Sequence, residues 1–204
     1  QLELSGGWGG NTFVGTVGIS FNNFSIKRIF EKHAWRPVPL GDGQQLAIRF
    51  QTNGSYYTAL SASFVEPWLF GKKPTSLSLS LYFTRQTNGT YYGNYYYGNA
   101  DQFMKVVGFA AGIGTRLKWP DNYFVLYNEV SWQTYILQDW HYNFLFSNGT
   151  SHNFSYKIAL SRNSTDQPIY PRAGSEFSLS LQLTPPYSLF RSKNTDYKNM
   201  PDNE

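Results

Sequence analysis

Cysteine is absent from the 204 residues, which rules out a disulfide scaffold and any thiolate metal site. Long apolar runs are absent as well. The most apolar stretches, such as Val106–Gly114, reach only about half of the roughly 20 residues that a membrane-crossing helix needs. Charge is sparse, at 15% of residues, and a net charge of +4 does not by itself select one class of partner. A sustained helical period is missing throughout. Aromatic residues, in contrast, are plentiful: 16 Tyr, 16 Phe and 6 Trp give more burial potential than a solvated, disordered chain carries.

The dominant period is two. Leu77, Leu79, Leu81 and Phe83 alternate with Ser76, Ser78 and Ser80, and Phe177, Leu179, Leu181 and Leu183 alternate with Ser178, Ser180 and Gln182. Phe154–Ser161 and Phe13–Phe21 follow the same rule. Such alternation predicts strands. Nine are expected, at 2–10, 12–22, 44–53, 56–66, 75–86, 105–117, 122–138, 151–163 and 175–185, separated by turn signals such as Asn53-Gly54 and Pro120-Asp121. Strands of about ten residues exceed the usual 5–6 of soluble proteins and match the 9–11 of a membrane crossing. The expected fold class is all-β, an antiparallel transmembrane β-barrel. The polar face, rich in Ser, Thr, Gln and Gly, suits a wet lumen and also an adhesin surface.

In an antiparallel meander, alternate connections share one end. Those after strands two, four, six and eight contain or adjoin Lys27, Arg28, Lys32, Arg36, Lys72, Lys73, Arg116, Lys118, Arg162 and Arg172. The other set is rich in Tyr and Asn: Asn53–Tyr57, Tyr91–Tyr97 and Trp140–Phe144. One end is therefore expected to be basic and the other aromatic and neutral. Within the long connection at 23–43, Ser25–Lys32 fits a short helix. It would carry Ile26, Ile29 and Phe30 on one side and Lys27, Arg28, Glu31 and Lys32 on the other. Two placements suit it, along a membrane interface or across the end of a barrel as a plug. Pro37 and Pro39 prevent its continuation. Nine strands cannot close antiparallel on themselves, and hydrocarbon does not tolerate open sheet edges. Residues 1–185 are thus expected to be part of a larger barrel, and 186–204 a loop leading to a further strand.

No catalytic constellation is present. His33, His141 and His152 lack partners at metal-ligand spacing, and no Gly-x-Ser-x-Gly elbow occurs. Gly108–Gly114 lies inside an alternating strand, where small residues make room for bulky neighbours, and lacks the strand–turn–helix context of a phosphate loop. The basic turns are poor in interleaved aromatics, so nucleic acid is not an expected partner. No enzyme activity, cofactor or metal is expected.

Several segments resemble the BamA family of barrel-forming outer-membrane insertases. They are Ser5-Gly-Gly-Trp-Gly-Gly, Phe13 to Ser25 with its Asn-Asn-Phe-Ser exit, Trp35-Arg-Pro, Gly41-Asp-Gly-Gln, Ser63-Phe-Val-Glu-Pro-Trp-Leu and Ile169-Tyr-Pro-Arg-Ala-Gly-Ser. They occur in the family's order, and the resemblance spans essentially the whole chain. It implies the N-terminal portion, about nine strands, of a sixteen-stranded barrel in a Gram-negative outer membrane, with the loop at 186–204 extracellular. The family's POTRA repeats, its Val/Ile-Arg-Gly-aromatic loop and its closing strand have no counterpart in these residues.

By the same resemblance, the first strand borders a lateral gate through Leu2, Glu3, Leu4, Ser5, Gly6, Gly7, Trp8 and Gly9. The implied periplasmic turns would bring Lys27, Arg28, Lys72 and Lys73 to accessory assembly-complex proteins or anionic groups. Tyr170, Pro171 and Gly174 would form the family's turn before strand nine. The implied partners are outer-membrane lipid, unfolded β-barrel substrates and those accessory proteins. The glycines of the first strand lower strand propensity, as a gate requires; they would also accommodate neighbouring aromatics or a tight hairpin. Alternatives are a passive porin or related polypeptide secretion barrel, and a secreted carbohydrate-binding sandwich that stacks sugars on Tyr95–Tyr97.

Overall fold

The computed structural model of the chain describes residues 1–9, 12–35, 38–54, 56–69, 71, 74–92, 95–141, 147–167 and 169–185. The stretch 186–204, expected to be a loop, lies outside them, as do Arg36, Lys72 and Lys73. Among the described residues the chain forms one nine-stranded sheet. Its strands are β1 (Leu2–Gly9), β2 (Thr12–Phe24), β3 (Gln44–Asn53), β4 (Tyr57–Glu66), β5 (Thr75–Tyr92), β6 (Tyr95–Arg116), β7 (Phe124–Gln138), β8 (Gly149–Asn163) and β9 (Glu176–Leu183). Each pairs antiparallel with its neighbour in sequence, so the sheet is a pure meander.

The expected strands are all present, with two departures. β5 and β6 run on to Tyr92 and from Tyr95, with Tyr91 opposite Tyr96, so the tyrosine segment expected to be a loop is a paired hairpin. Tyr and Thr favour strands, but the run has no apolar alternation to announce it. The helix expected over Ser25–Lys32 is instead two short 3-10 turns, Ile26–Arg28 and Lys32–Ala34. Ser25 does not cap the first of them. Its hydroxyl is donated to Asp42 instead, at 2.7 Å.

Register fixes two faces. The first carries Leu4, Val17, Phe50, Leu60, Phe83, Val107 and Thr134, each directly opposite the next across the sheet. Its next rows are Ile19, Ile48, Ala62, Leu81, Phe109, Trp132 and Phe154. The second face carries Thr16, Gln51, Ser80, Ala110, Ser131, Ser155 and Gln182. Among the described residues no layer covers the apolar face: Leu4 is 76% exposed and Leu81 57%. Among the described residues only Phe24, Leu137 and Trp140 are buried hydrophobics. A sandwich or helical protein would show the reverse, because an uncovered apolar surface of this extent has to be met by another apolar phase.

Polar groups bound the apolar face at both ends. At the end of the β1–β2, β3–β4, β5–β6 and β7–β8 hairpins, Arg85 stands opposite Lys105, and both cations lie over the Phe103 ring, at 5.4 and 4.3 Å. At the other end, the turn end, stand Gln44, Glu66 and Arg162. Between them, Leu77 to Phe83 covers roughly 20 Å of strand at about 3.3 Å per residue, close to the roughly 25 Å apolar belt of transmembrane barrels. Asn128, inside the band, accepts a hydrogen bond from the Tyr156 hydroxyl at 2.8 Å, as a polar group in hydrocarbon must.

Side chains also tie strands together on the polar face. Tyr82 of β5 lies across Gly108 of β6, and Tyr127 of β7 lies across Gly112, so closely that a β-carbon at either glycine would overlap the phenol. The expectation that these glycines make room for bulky neighbours holds. The Tyr127 hydroxyl meets Glu129 at 2.7 Å and Ser78 at 2.9 Å, bridging β7 to β5 across β6. Replacing Gly112 with Ala should swing Tyr127 off this bridge and cost about 1–2 kcal/mol, the value of one or two hydrogen bonds. Urea unfolding of G112A, Y127S and the double variant checks it: the two losses should not add.

Candidate functional site: the first-strand edge and the turn end

β1 pairs with β2 in unbroken register from Leu2–Ile19 to Gly9–Thr12, and its other edge has no partner among the described residues. The side chains of Leu2, Glu3, Leu4, Ser5 and Trp8 are all exposed. Glu3 reaches over Gly18 of β2 to Arg49 of β3, with Oε2 2.6 Å from Nη2. A side chain at Gly18 would press on that carboxylate. The ion pair is exposed and contributes at most about 1 kcal/mol. At Gly7 a β-carbon would meet nothing within 4 Å. Among the described residues, Gly7 therefore makes room for no neighbour. Its effect is to weaken the strand. β1 is held by one backbone ladder and little side-chain packing.

The turn end is built differently. Three segments far apart in sequence meet there. The Asn23 side-chain oxygen accepts the Gly43 amide at 2.9 Å, and Ser25 donates its hydroxyl to Asp42. The Gln44 oxygen accepts the Ile26 amide at 2.7 Å, while its amide donates to Glu66 Oε2 at 2.6 Å. The other Glu66 oxygen accepts the Trp68 amide at 3.1 Å. Ser25 and Gln44 are almost completely buried. The Asn-Asn-Phe-Ser, Gly-Asp-Gly-Gln and Glu-Pro-Trp segments thus form one polar knot. Sequence reasoning quoted these motifs separately and missed their convergence. The available signal was the excess of hydrogen-bonding side chains at strand ends.

The knot lies on the apolar face. Gln44 shares the face of Leu46, and Glu66 that of Phe64 and Leu77. Phe24, opposite Gln44, meets the Phe64 ring edge-on at 6.5 Å. The β2–β3 connection therefore folds over the outer rim of the sheet as a strap, seen in residues 25–35 and 38–43.

A second knot, also missed from sequence, centres on Arg162. It contacts Asp121 at 2.9 Å in the β6–β7 turn and donates to Ser164 at 2.9 Å and Ser175 at 2.5 Å in the β8–β9 turn. Beyond it lies the Tyr170-Pro171-Arg172-Ala173-Gly174 turn. Tyr170 adopts φ 58° and Gly174 φ 98°. A β-carbon at Gly174 would overlap the Ser164 carbonyl, so both conformation and space demand glycine. Asp166 closes the turn by accepting the Arg172 amide at 3.0 Å and the Ala173 amide at 3.3 Å. The Ala173 N–H, and then that of Arg172, hold its carboxyl below the usual range.

The charges of the turn end divide by role. Asp42, Glu66, Asp121 and Asp166 point into the turns. Lys27, Lys118 and Arg172 are exposed, and Arg28 is exposed while bracing the strap through the Leu40 carbonyl at 3.2 Å. Lys72 and Lys73 lie outside the described residues, so only Lys27 and Arg28 of the four expected turn contacts are placed. His141 pairs with Asp139 at 3.0 Å and His152 with Thr134 at 3.0 Å, at the hairpin end. Among the described residues no three His, Asp or Glu side chains gather as metal ligands would.

A single antiparallel sheet with an apolar outer face, a hydrogen-bonded polar face and tightly built turns at one end has the architecture of a transmembrane β-barrel wall. More specifically, residues 39–199 match the Omp85 superfamily domain, most of the 204-residue chain, and the chain belongs to that superfamily. The superfamily is associated with outer membranes and, broadly, with inserting or translocating proteins there. No curated protein matches the chain.

Replacing Gln44 with Ala should leave the Ile26 amide and a Glu66 oxygen unmatched under the strap, at about 1–3 kcal/mol. Limited proteolysis should then cut between residues 25 and 43 sooner than in the parent. Because the Asp166 pKa is lowered on folding, its contribution is complete above the ordinary Asp value of about 3.9 and disappears as pH falls through the lower folded value. Amide exchange at Arg172 and Ala173 should accelerate, beyond the intrinsic pH effect, only in that acid window. In Asp166→Ala it should be fast at every pH.

Proposed function

We propose that the chain is the gate-bearing portion of a BamA-type insertase of a Gram-negative outer membrane, which folds and inserts other β-barrel proteins without an enzymatic step. The observation that carries this reading is the contrast between β1 and the turn end. β1 offers an edge of backbone donors and acceptors and is weakened by a glycine that serves no packing need. The turn end is cross-braced by buried side-chain bonds. A seam that opens beside a rigid frame is what strand capture requires. An incoming strand would pair with β1 by β-augmentation, its main chain supplying affinity for many sequences. The driving force would be the substrate's own folding and the burial of its apolar face in lipid. Leu2 to Gly9 would border the gate, and Lys27, Arg28, Lys72 and Lys73 would face accessory proteins or anionic groups on the periplasmic side.

These 204 residues hold no cysteine to compete with a thiol placed among them. Cysteine at Ser5 of the full-length protein should form disulfides with cysteines in an unfolded barrel substrate, while cysteine at Ser61 in β4 should not. Gly7→Val, which stiffens β1 without a clash, should reduce the yield at Ser5 several-fold. Equal capture at both positions, or at neither, would instead favour a passive pore or a barrel that translocates polypeptides through its lumen.

A further inference from the structure

The strap between β2 and β3 is more than a turn requires. Its base is fastened by the Gln44–Glu66 knot and by the Phe24–Leu40 bridge. Its outer part presents Phe30 at 94% exposure, with Ile26 and Trp35 about half exposed. Trp35 is held in place by its indole N–H, which donates to the Ile29 carbonyl at 2.9 Å. Lys27 and Lys32 are exposed on the same segment. Glu31 is the one acid within residues 26–35, and Asp42, at the base of the strap, is turned back onto Ser25.

Position decides what these side chains meet. Gln44 and Glu66, on which the strap rests, lie on the face of Leu46, Phe64 and Leu77 and not on the polar face. The strap therefore caps the outer rim of the sheet and is continuous with the apolar band. This geometry favours the interface over the plug. We infer that the strap is a membrane-interface anchor: Phe30, Ile26 and Trp35 enter the headgroup layer of the leaflet at the turn end, and Lys27 and Lys32 bind anionic phospholipid headgroups there. Aromatic residues favour this depth. Each cation near an anionic surface adds about 1 kcal/mol, roughly a fivefold bias. The strap also shields the Gln44–Glu66 pair from lipid, a cover that pair needs at this depth. By holding the rim two strands from β1, it would fix the height of the sheet in the bilayer while the first strand moves.

The inference rests on the reading that the apolar face meets lipid, and its test separates the two. The full-length protein with cysteine at Phe30, or at Leu60 in the middle of the band, carries an environment-sensitive bimane label. It is reconstituted in brominated phosphatidylcholine vesicles with and without phosphatidylglycerol. Both labels should be quenched, and at position 30 phosphatidylglycerol should deepen the quenching. Lys27→Gln and Lys32→Gln should each lower the inserted-to-withdrawn ratio at position 30 about fivefold. Quenching at position 60 without quenching at position 30 overturns the anchor and leaves the barrel reading standing. A label at position 30 shielded only when accessory proteins are added also overturns it, in favour of a protein-docking surface. Absence of quenching at both positions overturns the barrel reading as well.

Discussion

Hydrocarbon offers a backbone amide nothing to bond with. A chain that crosses it in strands has to pair every strand with a neighbour and keep its polar side chains on the other face. Every large feature of this protein follows from that constraint. The nine strands pair in sequence order. Between the rims the two-residue alternation stays in phase from strand to strand, so mainly apolar side chains form continuous rows on one face. Stability then has to come from something other than a core. Glycine lets Tyr82 and Tyr127 lie flat on β6, and the Ser131–Ser155–Gln182 chain joins β7, β8 and β9 on the same face.

The constraint also explains why the two ends of the sheet and its first strand differ. Turns at the rim leave backbone and side-chain polar groups near lipid, so each is closed by a dedicated residue: Gln44 under the strap, Arg162 between two turns, Asp166 within the Tyr-Pro turn. Among the described residues, β1 has no such brace beyond the exposed Glu3–Arg49 pair. Braced turns and a lightly held first strand thus belong to one sheet, in a chain of the Omp85 superfamily, which is broadly associated with inserting or translocating proteins at outer membranes.

Much of the fold was legible because period two is a strong signal wherever one face is wholly apolar. Leu77–Phe83 and Phe177–Leu183 could be placed from the alternation alone. Legibility failed where side chains stopped alternating. The Tyr91–Tyr97 run is mostly Tyr, Asn and Gly, and its pairing depends on the opposing strand rather than on a pattern of its own. The strap failed for a different reason: its anchors are polar pairs 17 to 22 residues apart, such as Ser25–Asp42 and Gln44–Glu66, which no local window connects. The edge position of β1 followed from strand order, but the openness around Gly7 needed coordinates. Glycine reads the same in sequence whether a neighbour fills the space above it, as at Gly112, or nothing does.

The orientation of the alternating rows is the claim from which the rest descends, and β5 gives the cleanest line along which to measure it. Single cysteines at each position from Leu77 to Phe83, in the membrane-reconstituted protein, can be challenged in turn with a lipid-phase quencher and a water-soluble thiol reagent. The account predicts a strict two-residue oscillation, with Leu77, Leu79, Leu81 and Phe83 answering only to the lipid quencher and Ser78, Ser80 and Tyr82 to the aqueous reagent. Protection of the leucine positions from both probes would show them packed beneath another protein layer and would contradict it.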